Sequence, residues 1–142
     1  MVGVYTLSEL KVAKDLRQKY IFDPNKINDP YLWTFGLKDH VHFVYYQGTK
    51  IIGYAHLQLW PENRAALRII VIDKNYRNLG IGEDFLKLCE KWLKKESYKS
   101  FHVESAPGSY SFYKKYGYIE MSFDDPDNYD SDHSDISMGK IL

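Results

Sequence analysis

The chain is short of cysteine, of net charge and of long hydrophobic runs. Its single cysteine, Cys89, excludes an internal disulfide. Placed among Phe85, Leu86, Trp92 and Leu93 at helical spacing, it reads as a small buried hydrophobe. Nineteen basic residues balance nineteen acidic ones, so no general attraction to nucleic acid or to an anionic membrane is expected. No charged-then-apolar leader opens the chain, and no apolar run reaches membrane-spanning length. The expectation is a soluble, cytoplasmic protein. Repeats and low-complexity linkers are also missing, and 142 residues suffice for one core. One domain covering 1–142 is expected. The compositional excess is aromatic, with thirteen tyrosines, most of them expected in or around the core.

The pattern along the chain alternates strands and helices. Val2 to Thr6 reads as a short strand. Ser8 is a candidate N-cap for a helix to about Tyr20, with Leu10, Ala13, Leu16 and Arg17 at helical spacing. Asp23-Pro24-Asn25 breaks the chain, and 27–40 is irregular or briefly helical around Pro30 and Gly36. His42–Gln47 and Lys50–Leu57, joined by Gly48-Thr49, read as a hairpin. Leu67–Ile72 is apolar and rich in β-branched residues, a buried strand. Phe101–Ser105, Tyr118–Met121 and Ile136–Ile141 complete the strands, and an exposed edge on the last would suit pairing with a second copy.

Between the buried strand and the helix that carries Cys89 stands Arg77-Asn78-Leu79-Gly80-Ile81-Gly82. A strand, a glycine loop and a helix start together form an anion cradle, because glycine lets a ligand approach the backbone and the first helical turn has free N–H groups. A phosphate-bearing cofactor suits it. No Gly-Lys-Ser/Thr ending follows, which excludes a Walker-type loop. Phe85 stands where a dinucleotide fingerprint places its third glycine. ATP and NAD are thus disfavoured.

The loop resembles the Arg/Gln-x-x-Gly-x-Gly/Ala signature of the GNAT superfamily, the acyl-CoA-dependent N-acyltransferases. A second segment, Phe112-Tyr113-Lys114-Lys115-Tyr116-Gly117-Tyr118, resembles that family's Phe/Leu-Tyr-x-x-x-Gly-Phe/Tyr element. Gly117 suits a left-handed helix stop, and Lys114 and Lys115 suit the negative end of a helix dipole. The likeness covers roughly 40–122. It implies an α/β fold with a mixed, mostly antiparallel central sheet of six to seven strands, flanked by helices and splayed at the cofactor strand.

The resemblance also implies a chemistry: transfer of an acetyl group from acetyl-CoA to an amine of a small molecule or protein. Asn78, Leu79, Gly80, Ile81 and Gly82 would hold the pyrophosphate by backbone N–H groups, with Arg77 adding charge or shaping the loop. Pantetheine would lie along Ile70, Val71 and Ile72, with Phe112 nearby and a backbone N–H near Ile72 polarising the thioester oxygen. Tyr113 matches the tyrosine that protonates the leaving thiolate. An alkylammonium lies about three units above neutral pH, so removing its proton costs roughly 4–5 kcal/mol. The glutamate that some members carry at the start of the cofactor strand is replaced here by Ala65 and Ala66. His102 or Glu104, on the next strand, would then be the base, with Glu62 a weaker candidate. Ala106 and Ser109 stand where members often have an asparagine and an alanine. Glu83 and Asp84 open the helix beside the expected phosphate. A non-catalytic CoA-binding module on the same fold is the alternative.

One biased stretch remains: Asp124, Asp125, Asp127, Asp130, Asp132 and Asp135, with His133 among them. It reads first as a solvated loop and second as a rim attracting a cationic acceptor. Lacking the central glycine and closing glutamate of an EF-hand loop, it is not read as a calcium site, and no metal is expected.

Overall fold

The computed structural model describes residues 1–127 and 134–142. Strands β1 (Val2–Gly3), β2 (His40–Gln47), β3 (Lys50–Trp60), β4 (Arg64–Ile72), β5 (Ser100–Ser105), β6 (Ile119–Glu120) and β7 (Ile136–Ile141) form one sheet in the order β1-β2-β3-β4-β5-β7-β6. Among the described residues only the β4–β5 pair is parallel. Helix α1 (Leu7–Arg17) covers one face, and α2 (Ile81–Lys95) and α3 (Tyr110–Lys115) cover the other. The mixed, mostly antiparallel sheet expected from the resemblance is present. The expected open edge on the last strand is not: β7 lies inside the sheet, and the two-residue β6 is the edge. Among the described residues no helix is long and apolar enough to cross a membrane.

Helix α1 begins earlier than its first serine suggests. Thr6 is the cap: its hydroxyl accepts from Glu9 N, and Glu9 accepts in return from Thr6 N. Glu9 also accepts from Tyr5 N and from the Tyr46 hydroxyl, and these bonds, led by that of Tyr46, hold its pKa down at about 2. The helix then loosens into a π turn, Gln18–Phe22, before Pro24 stops it.

Phe85, Leu86, Cys89 and Leu93 on α2 are fully buried against Ala55, Leu57, Leu67 and Phe101 of the sheet. Burial pushes the Cys89 thiol well above its ordinary range, as an inert core cysteine requires. Glu90, on the same helix, accepts from the Tyr118 hydroxyl at 2.7 Å and from Lys140 Nζ at 2.9 Å. That knot ties α2 to the turn after α3 and to β7. Gly117, at φ +94°, ends α3 as its spacing predicts. Leu86→Ala would leave a cavity between α2 and β3–β4; unfolding in urea is expected to show a loss of about 2–5 kcal/mol.

Candidate functional site

β4 and β5 pair from Arg64↔Ser100 to Leu67↔Val103, and no further. There the register between β3 and β4 also slips: His56 faces Ile69 and Leu57 faces Leu67, which leaves Arg68 as a bulge. The slip bends β4 away from β5 and opens the sheet between them. Asp73 N donates to Ile52 O at 2.7 Å, so by strand alternation the N–H and C=O of Ile70 and Ile72 point away from β3, into the opening. Val71 carries its side chain to the α1 face instead.

The glycine loop lies at the end of this open strand. Asn78 and Gly80 are both left-handed, at φ +63° and +79°, and α2 starts immediately after. Its first bond runs from Asp84 N to Gly80 O, so the N–H groups of Ile81, Gly82 and Glu83 have no helical acceptor. A Cβ on Gly82 would meet only the Phe112 ring, at 3.9 Å. Arg77 shapes the loop: its Nε donates to Ile72 O at 2.9 Å and its guanidinium lies over Tyr20. Tyr20 in turn donates to Asp73 and accepts from Lys74 N. The two acids at the helix start are turned aside. Glu83 takes Lys87 and the Tyr116 hydroxyl, and Asp84 takes the Tyr45 hydroxyl.

Tyr113 is buried, edge-on to Phe112 and Tyr118. Burial, reinforced by nearby Cys89, lifts its phenol to about 12, so it stays protonated at neutral pH. His102 and Glu104 share a face of β5 but differ in position. His102 pairs with Ala66, at the closed end. Its Nε2 meets Ser100 Oγ at 2.8 Å, its ring stacks on Trp60, and Gly139 leaves the space it fills. Its Nδ1 is buried without a partner among the described residues, and burial, then the Arg64 charge, holds its pKa down at about 4. Glu104 stands one residue past the last β4–β5 pair, at the mouth of the opening, and is half-buried. Glu62 lies exposed in the turn before β4, away from the opening.

On the α1 face the structure adds a group that the sequence reading missed. Arg17 is fully buried, and its Nε and Nη2 donate to Asp29 at 2.6 and 3.1 Å. Its Nη1 donates to the Tyr54 hydroxyl at 3.0 Å and meets His56 Nδ1 at 3.1 Å. His56 Nε2 lies 2.8 Å from His40 Nδ1, and Tyr54 meets His42 Nδ1. Burial opposes the charge on Arg17, but Asp29 and Tyr54 outweigh it and raise its pKa. The imidazoles go the other way. Burial, helped by neighbouring positive groups, lowers His40 and His56 and brings His42 to about 4. Arg17, His40, His56, Arg68 and Ile69 help line a cavity of about 230 Å³ beside the bulge.

The acidic stretch is not simply solvated. Asp125 pairs with Arg68 at 2.9 Å, with its side chain largely covered, and Asp127 accepts from Gln58. The chain thus folds across the α1 face of β3 and β4, where Phe123 packs edge-on to Trp60. Asp130, Asp132 and His133 lie outside the described residues. Among the described residues no cluster of three metal-ligating side chains occurs.

A family model for the acetyltransferase (GNAT) family matches residues 10–118. No curated protein matches the sequence. Solved structures share the fold at low identity. An acetyltransferase of the GNAT family from Staphylococcus aureus is 23% identical, with a TM-score of 0.74, over 97% of this chain and 96% of that one. Tetrahymena GCN5 is 14% identical, with a TM-score of 0.78, over 99% and 96%. An aminoglycoside 6'-N-acetyltransferase complexed with coenzyme A is 13% identical, with a TM-score of 0.79, over 99% and 97%.

The lowered histidines make stability depend on pH. A base whose pKa falls on folding binds its proton less readily in the native state. Its contribution is complete above the ordinary value of 6.5 and is lost as pH falls toward the folded value, about 4 for His42 and His102. With His40 and His56 lowered as well, unfolding near pH 5 is expected to take up about three to four protons. Urea midpoints measured from pH 8 to 4 should hold above 6.5 and drop steeply below it; a flat profile contradicts this reading.

Proposed function

Because this chain belongs to the GNAT acetyltransferase family, we propose that it moves an acetyl group from acetyl-CoA directly to a primary amine of a small molecule or protein. The observation that carries the proposal is the parting of β4 from β5 beyond Leu67 and Val103, with the anion cradle at the end of the open strand. Bound acetyl-CoA supplies an activated thioester. In this reading the N–H groups of Asn78 to Gly82 hold the pyrophosphate, and Arg77 braces the loop. The N–H and C=O of Ile70 and the N–H of Ile72 receive pantetheine as an added strand, the Ile72 carbonyl being held by Arg77, and one of these N–H groups polarises the acetyl oxygen. The Tyr113 phenol, kept protonated by burial, gives its proton to the leaving sulfur. Phe112, against Gly82, bounds the slot.

We assign the base role to Glu104 rather than to His102. Glu104 stands at the mouth of the opening, whereas His102 is packed between Trp60 and Gly139 at the closed end. A non-catalytic CoA-binding module is the competing reading, favoured by the alanines at the start of β4. A homodimer through the sheet edge belongs to the proposal, with β6 as the edge strand; sedimentation velocity reads its mass, and a single-chain mass removes it.

Turnover tests the reading. CoA release from acetyl-CoA with a panel of amines is expected, and Tyr113→Phe should lower kcat by about 100-fold while leaving the thermal midpoint nearly unchanged. Acetyl-CoA binding with no turnover of any amine would instead support the module. An unchanged kcat in the phenylalanine variant would remove Tyr113 from the mechanism.

A further inference from the structure

Arg17 fixes the proton positions of three histidines. A guanidinium only donates, so His56 Nδ1, 3.1 Å from Nη1, accepts. Neutral His56 therefore carries its proton on Nε2 and donates it to His40 Nδ1 at 2.8 Å. Neutral His40 then carries its own proton on Nε2. The second branch runs the same way. Tyr54 accepts from Arg17 and donates to His42 Nδ1, and His42 Nε2–H faces Thr34 Oγ1 at 3.3 Å. Thr34 passes its proton to Tyr31 O at 2.7 Å. This branch ends on a backbone carbonyl. The other ends on His40 Nε2–H, which has no partner among the described residues and is not sealed from solvent.

His40 lines the cavity beside the bulge, with Phe22, Tyr31 and Ile69 on its walls. At about 230 Å³ it is smaller than a drug-sized site, so it suits a small body. No carboxylate is among its described lining residues. Asp29 and Asp125 are engaged with Arg17 and Arg68. A cation entering here meets two guanidiniums that Asp29 and Asp125 already balance, with Asp39 and Asp127 acting on His40 from outside the described lining, so no lining carboxylate is left to pair with it, and the imidazoles of the cavity are themselves held neutral. At pH 7 an α-amine near 8 is neutral in about one molecule in ten, and an alkylamine near 10.4 in fewer than about one in a thousand.

We propose that this cavity selects a small, weakly basic amine whose body is uncharged and carries a hydrogen-bond-accepting oxygen, and that the His40 Nε2–H reads that oxygen. The inference rests on the acetyl-transfer reading and names its acceptor class. It turns away from the cationic acceptors that the aspartate stretch suggests in the sequence.

Two measurements test it separately. In imidazole nitrogen NMR of the free protein, His40, His42 and His56 are expected as Nε2–H tautomers. Phenylalaninamide, added without acetyl-CoA, should shift the His40 Nε2–H signal; an unmoved signal overturns the proposal whatever the turnover. In CoA-release assays phenylalaninamide should exceed spermidine and an Nα-acetyl-lysine amide by at least tenfold in kcat/KM. His40→Leu should raise KM for phenylalaninamide about tenfold and His40→Gln, which keeps an N–H, should not. Neither should change KM for phenethylamine, which lacks the oxygen. Spermidine or the lysine derivative as the better acceptor overturns the acceptor class and leaves acetyl transfer standing. A shifted His40 signal with no CoA release from any amine supports the cavity and removes the transfer.

Discussion

Backbone pairing between β4 and β5 lasts four residues and stops at Leu67 and Val103, and much of the molecule is arranged around that stop. Two strands of one sheet do not part without cause, because each abandoned N–H and C=O forgoes a hydrogen bond. The bulge at Arg68 redirects β4, and its side chain is held on the far face by Gln58 and Asp125. Gly53, whose Cβ would meet Ile72 and Phe85 at 3.0 and 3.2 Å, lets α2 and the open strand close up on β3. The loop after β4 is braced by Arg77, Tyr20 and Asp73 rather than left to its glycines. The open strand is thus supported from β3 and from α1, and on its β5 side, among the described residues, only the Ile72 carbonyl, which accepts from Arg77, is taken.

The α1 face follows a different constraint. A fully buried guanidinium is tolerated only with its charge met and its donors used. Arg17 meets this through Asp29, Tyr54 and His56, and the two neutral acceptors, Tyr54 and His56, must then direct their own protons onward. One charge thereby orders five side chains, on β2, on β3 and in the loop that carries Asp29. It also makes the three imidazoles poor bases, because each has its accepting nitrogen already occupied; this supports the proposed assignment of the base role to Glu104.

Much of the fold was legible because its signals are local. The β-branched run 67–72, the loop from Arg77 to Gly82 and the helical spacing of α2 each sit within a few residues. The Gly117 stop was legible for the same reason. The Arg17 network was not, because it depends on register. Counting back from the Gly48-Thr49 turn places His42 opposite Ala55; the irregularity between Tyr45 and Tyr46 skips Ile52 and brings His56 there instead. Arg17 itself reads as one more residue at helical spacing, and only the π turn and Asp29 reveal it as buried. The helix cap moved from Ser8 to Thr6 because Glu9 reaches back over three residues. The aspartates changed meaning because Arg68, at the bulge and largely covered, has its charge met by Asp125.

The central claim is that the open side of β4 is a binding edge, and amide hydrogen exchange at Ile70 and Ile72 tests it most directly. In the free protein both amides should exchange fast, far faster than Val71, whose N–H faces β3. Saturating acetyl-CoA should slow Ile70 and Ile72 by orders of magnitude and leave Val71 nearly unchanged. Equal protection of all three without ligand, or no change on adding it, would contradict the account.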